Sequence, residues 1–231
     1  LMDLEFGPEY DDFKKEVQEF CKEYSNAIIT SGGDKKFEMH DALSGNSNAK
    51  KGKIVNRSDW QRLLIEKGYF ARSIPKEYGG FGGEPDIIKS RIIANEFSKY
   101  KVPSGMGGQG IDMLVPTLLE WGTEKQKQKY IKSTLHGETI WCQGYSEPGS
   151  GSDLANLQTK GELVNGNWVI NGQKIWTSTA QFSQMMFCLI RTEPDASKHA
   201  GISFILIPMD TPGIEIRPVS YTHLRAHETE A

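Results

Sequence analysis

The hydrophobic period of the chain changes near residue 140. Before this point, apolar residues recur at helical spacing; in residues 9–24 they are Phe13, Val17, Phe20, Cys21 and Tyr24. After it, short apolar runs alternate with turn signals such as Asn165-Gly166 and Asn171-Gly172. Helices followed by strands predict an α+β fold or two separate domains, with the division near Glu138–Trp141.

Turn and cap signals predict where the helices begin and end. Ser58 with Gln61, and Thr123 with Gln126, each fit a capping box, and Pro85 opens a further helix. Residues 109–121 are apolar on nearly every side, which indicates a buried helix bent by Pro116. Segment 30–57 has few apolar residues, so we expect an exposed, mostly irregular insertion, with a short hairpin around Phe37 and Ile54.

The second half of the chain is predicted to form strands. The candidate strands are short runs of β-branched and aromatic residues bounded by turn residues. They are Leu157–Val164, Trp168–Ile170, Ile175–Thr177, Met185–Thr192, Ile202–Pro208 and Ile214–Val219.

Composition excludes several classes of function. A net charge of −3 gives no electrostatic basis for binding nucleic acid, and no apolar run approaches the roughly 20 residues of a membrane span. The N-terminal residues do not resemble a secretory signal, and the three cysteines are widely spaced. The histidines lack ligand spacing, so no metal site is predicted. We therefore expect a soluble cytoplasmic protein.

Two segments contain the candidate functional residues. Residues 146–153 read Ser-Glu-Pro-Gly-Ser-Gly-Ser-Asp, a tight loop with several hydroxyl groups, and residues 174–178 read Lys-Ile-Trp-Thr-Ser. A flat indole ring beside small hydrogen-bond donors suits a planar heteroaromatic cofactor. Each segment alone also fits a structural role, because the serines are common turn residues and Trp176 fits a core aromatic at a sheet edge.

Together the two segments resemble the flavin site of the acyl-CoA dehydrogenase family. The family loop reads roughly [ST]-E-x-x-[GSA]-G-[ST]-D, which residues 146–153 fit, with departures at Tyr145 and Asn156. Pro75–Gly83, Gly122–Gln126 and Gly137-Glu138 resemble further family segments, so the resemblance covers most of residues 1–219. It implies an all-α N-terminal domain and a β-barrel-like middle domain, followed in the family by a C-terminal helical bundle.

The domain boundaries that we expect follow from this resemblance. Residues 1–139 form the helical N-terminal domain, including the insertion at 30–57, and residues 140–219 form the middle domain with the flavin loop. Residues 220–231 do not continue the strand pattern, and we expect them to be foreign to the family.

The resemblance also implies a cofactor and its ligands. FAD is expected along Gln143, Gly144, Tyr145, Ser146, Gly151 and Ser152, with Trp176, Thr177 and Ser178 from the second segment. Ser146 matches a hydroxyl on the flavin pyrimidine side, Trp176 a ring packed on the flavin face, and Ser178 a hydroxyl near flavin N5. Thr177 contributes through its backbone, and Ser152 matches a residue that contacts acyl-CoA.

The implied reaction removes two hydrogens from the α and β carbons of an acyl-CoA thioester. The family's general base is a Glu of the C-terminal domain, so no catalytic residue is named here and this chain is expected to be inactive alone. Glu147 is expected to accept hydrogen bonds from backbone N–H groups within the loop. An electron-transfer flavoprotein or a similar acceptor, and a homo- or hetero-oligomeric assembly, are the implied partners. An acyl-CoA oxidase, a flavin monooxygenase, or a non-catalytic acyl-CoA-binding subunit are the alternatives.

Overall fold

A computed structural model describes residues 7–30, 53–197 and 199–217. The chain divides into two compact units, residues 1–139 and residues 140–231. The first unit is mainly helical and the second is built on one sheet, so the α+β fold class is confirmed.

The helical unit contains five α-helices among its described residues. They are α1 (Asp11–Glu23), α2 (Arg57–Glu66), α3 (Ile87–Tyr100), α4 (Val115–Trp121) and α5 (Glu124–Leu135). Short 3-10 turns lie at Pro8–Tyr10 and Lys76–Tyr78, and a π-helical turn at Gly110–Leu114 leads into α4.

Aromatic rings fill the core of the helical unit. The Phe20 ring stacks on Trp60 at 5.8 Å and on Phe97 at 5.9 Å, and meets the edge of Tyr69 at 5.0 Å between centroids. Val17 and Cys21 of α1 are also fully buried in this cluster. The helical stripe predicted over residues 9–24 therefore packs inward, as its spacing requires.

The two capping boxes predicted from the sequence have different outcomes. The capping box of Thr123 and Gln126 is confirmed, with both reciprocal hydrogen bonds formed. The predicted cap at Ser58 is wrong: Oδ1 of Asn56 accepts from Ser58 N at 2.9 Å, so Asn56 is the N-cap. Gln61 is instead fully buried, where it donates to the Leu135 carbonyl and accepts from Met106 N, each at 2.8 Å.

The apolar segment 109–121 is not a uniformly buried helix. Its π-helical turn shifts the phase of the side chains, so Trp121 is 79% exposed and Met113 is 39% exposed. Pro116 lies in the first turn of α4, directly after the π-helical turn, where Val115 N still donates to the Gly110 carbonyl but Pro116 has no N–H to continue the series. The helix therefore runs through this proline without a break, and the predicted bend stays a prediction.

The helical unit also contains two short strands. Strand β1 (Ile28–Thr30) pairs in parallel with β2 (Ile54–Asn56), Ile28 lying opposite Ile54. The unit is therefore not purely helical, and residues 54–57 of the predicted irregular segment are regular. The partner of Ile54 is Ile28 in a parallel pair, which is not a hairpin; Phe37 lies outside the described residues.

The second unit contains one five-stranded sheet. Its strands are β3 (Trp141–Gly144), β4 (Lys160–Val164), β5 (Asn167–Asn171), β6 (Met185–Arg191) and β7 (Ile202–Pro208). β7 pairs antiparallel along the whole of β6, while β3 and then β4 pair in parallel with the opposite ends of β6. The described strands form an open sheet and not a closed barrel.

Several strand predictions need correction. β4 begins at Lys160 and not at Leu157, because the N–H groups of Gln158 and Thr159 donate to a side chain, Glu147. Residues 175–177 and 214–217 are not in strands, and 218–219 lie outside the described residues.

The two predicted tight turns have different outcomes. Asn165 and Gly166 have φ of 51° and 79°, the left-handed pair expected of a two-residue hairpin turn, and this turn joins β4 to β5. Gly172 instead packs against Thr159: a Cβ at Gly172 would lie 2.6 Å from the Thr159 Cα. Close approach of two backbones, and not turn geometry, explains that glycine.

Candidate functional site

The loop that follows β3 is closed by a small hairpin. The N–H of Glu147 donates to the Ser150 carbonyl and the N–H of Ser150 donates to the Glu147 carbonyl, both at 3.0 Å. Pro148 and Gly149 form the exposed turn between them. This hairpin holds Ser146 at the end of β3, beside the edge of the sheet.

A buried ion pair lies under this loop. Nζ of Lys174 donates to Oε1 of Glu147 at 2.8 Å, and the two side chains are only 8% and 5% exposed. The Glu147 carboxylate also accepts from the N–H groups of Gln158 at 2.6 Å and Thr159 at 2.9 Å. Three donors therefore satisfy a carboxylate whose burial would otherwise be costly.

The charge state of Glu147 follows from these contacts. Burial opposes ionisation, but the hydrogen bonds from Lys174, Thr159 and Gln158 outweigh it and lower the pKa of Glu147 to about 2. A carboxylate with such a low pKa is a poor proton acceptor near neutral pH. The expected role of Glu147 as an acceptor of backbone N–H bonds agrees with this geometry, although its partners lie beyond the loop.

The structure brings the two sequence segments together. The N–H of Ile175 donates to the Ser146 carbonyl at 2.9 Å, and Lys174 Nζ donates to the Tyr145 carbonyl at 3.1 Å. A Cβ at Gly151 would lie 3.6 Å from Cζ3 of Trp176, so the indole ring approaches the loop. Residues far apart in sequence thus form one local surface.

The backbone at Trp176 is strained. Its φ is 54°, a left-handed value that is an outlier for a bulky aromatic residue, and Thr179 follows with a φ of 67°. The Trp176 side chain is 73% exposed although it is the largest residue type. Strained, exposed positions of this kind concentrate at binding sites.

Other predicted site residues lie around this surface. Gln143 and Gly144 belong to β3, and Tyr145 is half-buried against Phe187 with ring centroids 5.8 Å apart. Gly151, Ser152 and Ser178 are exposed. No residue that the structure describes forms a hydrogen bond with the Ser152 hydroxyl.

Unpartnered donors show whether the surface fits a polar planar group. Among the described residues, neither the N–H nor the hydroxyl of Ser146 has a hydrogen-bond partner, and Oγ1 of Thr177 is buried without one. Of these groups only the Thr177 hydroxyl is buried, and a buried polar group without a protein partner is rare. Together with the exposed indole of Trp176, these donors fit the edge and face of an aromatic ring system that carries acceptor atoms.

Two buried cysteines, one in β3 and one in the neighbouring strand β6, have unreactive thiols. Burial raises the pKa of the Cys142 and Cys188 thiols to about 11, which keeps them protonated. Neither forms a disulfide, and the described residues contain no group of three or more metal-ligating side chains. Within the described ranges, no helix has the length and apolar character needed to cross a membrane.

Sequence reasoning assigned no role to Lys174. Its position two residues before Trp176 is visible in the sequence, but its burial against Glu147 depends on the close approach of Gly172 to Thr159. A buried carboxylate requires a counter-charge, but the sequence gives no signal that Glu147 is buried, so the lysine could be found only from the structure.

Comparison with known families agrees with this arrangement. Residues 7–138 match the family model for the acyl-CoA dehydrogenase N-terminal domain, and residues 142–230 match that for the acyl-CoA dehydrogenase middle domain. The chain belongs to the acyl-CoA dehydrogenase family. The second match includes residues 220–230, so the boundary drawn at 219 stays a prediction.

Individual relatives support the same assignment. The chain is 40% identical over 216 residues to acyl-CoA dehydrogenase IpdE1 of Mycolicibacterium smegmatis, covering 89% of this chain and 54% of the relative. A solved steroid ACAD, Tcur3481-Tcur3483, aligns with a TM-score of 0.64 at 29% identity, over 94% of this chain and 52% of its own. The ChsE4-ChsE5 complex of Mycobacterium tuberculosis aligns with a TM-score of 0.60 at 28% identity, over 90% and 49%. The chain thus spans about half the length of these proteins.

Proposed function

We propose that this chain binds FAD and serves the α,β-dehydrogenation of an acyl-CoA thioester. The observation that carries the proposal is the junction of the two segments, in which Ile175 N donates to the Ser146 carbonyl and the Trp176 ring approaches Gly151. When bound, FAD supplies the acceptor for the hydride that leaves the β carbon.

Each residue at the junction has a proposed role. The unpartnered N–H and hydroxyl of Ser146 donate to the flavin pyrimidine side, and the exposed ring of Trp176 packs on the flavin face. Ser178 and the backbone of Thr177 would hold the ring near N5, and Gln143, Gly144, Tyr145 and Gly151 would contribute along its edge. The exposed hydroxyl of Ser152 is proposed to contact the acyl-CoA.

The proton of the α carbon needs a separate base. Glu147 is unsuited to this task, because it is already hydrogen-bonded by Lys174, Gln158 and Thr159 and its pKa is about 2. We therefore propose that the base is not part of the junction. The proposal would be contradicted if this chain alone reduced an artificial electron acceptor with an acyl-CoA and Glu147→Gln abolished that turnover.

A direct binding experiment tests the flavin assignment. FAD is titrated into the protein and followed by visible absorbance and flavin fluorescence. We expect saturable binding that Trp176→Ala weakens about tenfold or more, since stacking of a planar heterocycle on an aromatic ring is worth ~1–3 kcal/mol.

The matched control is Trp168→Ala. Trp168 is also exposed, at 47%, but lies on β5 and not at the junction. No saturable binding, or equal weakening by both tryptophan variants, would overturn the flavin assignment.

The similar structures extend the proposal to the class of substrate and to the assembly of the protein. One similar structure is a steroid ACAD and another is a complex of two named chains. We propose that bulky, ring-containing acyl-CoA thioesters belong among the substrates, and that the protein assembles with further subunits and passes electrons to an electron-transfer flavoprotein. Oxygen consumption during turnover would indicate an oxidase or monooxygenase instead.

A further inference from the structure

We propose that Lys174 acts as a positioning and polarising residue that strengthens the Ser146 N–H as a hydrogen-bond donor and thereby favours reduced flavin. This inference rests on the proposed function, because it assigns the flavin as the acceptor of that N–H. A buried lysine would thereby help to set the reduction potential of the bound flavin.

The first step is the fixed orientation of one peptide group. The Tyr145–Ser146 peptide has its carbonyl hydrogen-bonded to Lys174 Nζ at 3.1 Å, and the next carbonyl, that of Ser146, accepts from Ile175 N at 2.9 Å. Both anchors come from consecutive residues of one segment. The Tyr145–Ser146 peptide is therefore held through its own carbonyl and through the carbonyl of the peptide that follows it.

The second step is the direction of the free donor. In a trans peptide the N–H points away from the carbonyl, so the Ser146 N–H is directed away from Lys174. No cis peptide bond occurs in the described part of the chain. That N–H has no partner among the described residues, which leaves it available to a ligand.

The third step is electrostatic. An ammonium group bonded to a carbonyl draws electron density from the peptide, and hydrogen bonds in such a chain strengthen one another. Lys174 is 8% exposed, so water screens this effect only weakly. Reduction adds two electrons to the flavin ring and makes its acceptor atoms more electron-rich, so a stronger donor stabilises the reduced state more than the oxidised state.

The fourth step concerns the counter-ion. Glu147 Oε1 lies 2.8 Å from Lys174 Nζ and offsets part of its positive charge. The two partners therefore act on the flavin with opposite sign. A purely structural clamp would behave differently, because breaking it from either side would disturb the junction in the same way.

The experiment measures the midpoint potential of bound FAD in the Lys174→Met and Glu147→Gln variants. We expect Lys174→Met to lower the potential and Glu147→Gln to raise it. The expected size is about a tenfold change in the ratio of affinities for reduced and oxidised FAD, which is about 30 mV for a two-electron couple. Lys174→Arg keeps the charge and is expected to restore most of the wild-type potential.

Two further measurements keep the test decisive. Lys160→Met removes an exposed charge on β4 and is expected to leave the potential unchanged. In the flavin-free protein, the amide nitrogen resonance of Ser146 is expected to move upfield in Lys174→Met, because the preceding carbonyl loses its hydrogen bond. This second readout also applies if Glu147→Gln does not fold.

The outcomes separate the two proposals. Shifts of the same sign in both variants, a Lys174→Arg variant that behaves like Lys174→Met, or an unmoved Ser146 resonance would overturn the role of Lys174. A wild-type protein that does not bind FAD would overturn the proposed function itself, and the inference with it.

Discussion

The aromatic core of the helical unit and the junction of the sheet unit use polar and apolar residues in opposite ways. In the helical unit the large aromatic rings of Phe20, Trp60 and Phe97 are buried together. In the sheet unit Trp176 is 73% exposed, while the charged pair Glu147 and Lys174 is buried. A scaffold places apolar groups inside; a binding surface exposes a ring and buries the charges that orient its loops.

The largest expected effect tests the buried rings. Trp60→Ala removes a side chain that is 2% exposed and should destabilise the protein by about 3–5 kcal/mol, through lost burial and the cavity left behind. Trp121→Ala, at a position 79% exposed, should change the free energy of unfolding by less than about 0.5 kcal/mol. Urea unfolding followed by far-ultraviolet circular dichroism measures both, and similar losses would contradict the comparison.

Acid titration tests the buried charges. Because the pKa of Glu147 is lowered from 4.5 to about 2, its stabilisation is complete above about pH 4.5 and is lost as the pH falls toward 2. The expected loss is about 3 kcal/mol. Unfolding free energies measured across this range should fall more steeply for the wild type than for Glu147→Gln. Parallel curves would show that the carboxylate contributes little.

The close approach of two backbones provides the third test. In Gly172→Ala the new Cβ would meet the Thr159 backbone at 2.6 Å, so the segments must separate, at a cost of about 1–3 kcal/mol. The control is Gly149→Ala, since nothing lies within 4 Å of a Cβ at Gly149. Thermal melting of both variants decides the matter, and an unchanged Tm for Gly172→Ala would remove this explanation of how Lys174 reaches Glu147.

The smallest effect concerns a helix cap in the helical unit. Asn56→Ala should cost about 1 kcal/mol, because Ser58 N loses its acceptor at the start of α2. Ser58→Ala should cost less, since Asn56 and not Ser58 is the cap. Chemical denaturation resolves the two, and a larger loss at Ser58 would restore the capping box predicted from the sequence.

The hydrophobic period and the turn residues were enough to predict that a helical part is followed by a part built of strands. The stripe containing Val17 and Phe20, the capping box of Thr123 and the turn at Asn165-Gly166 each depend on neighbours a few residues away, so local sequence specifies them. Strand β3 and the pairing of β1 with β2 depend on partners far along the chain, which no local pattern identifies.

The candidate site was predictable only in part. The two segments that form it could be identified from residue types and from the family motif. The ion pair of Glu147 and Lys174 could not, because it depends on where Gly172 packs in three dimensions. The non-strand conformation of residues 175–177 is likewise a tertiary effect, with Ile175 anchored to Ser146 and Trp176 held at a positive φ.

The parallel pairing of β3 with β6 has a consequence for synthesis of the chain. Trp141 pairs with Met185, 44 residues later, so β3 leaves the ribosome well before its partner exists. At 5–20 residues per second this interval lasts roughly 2–9 s. During that time the backbone N–H and C=O groups along the pairing edge of β3 have no β6 strand to bond with, and an unpaired strand edge is open to association with another chain.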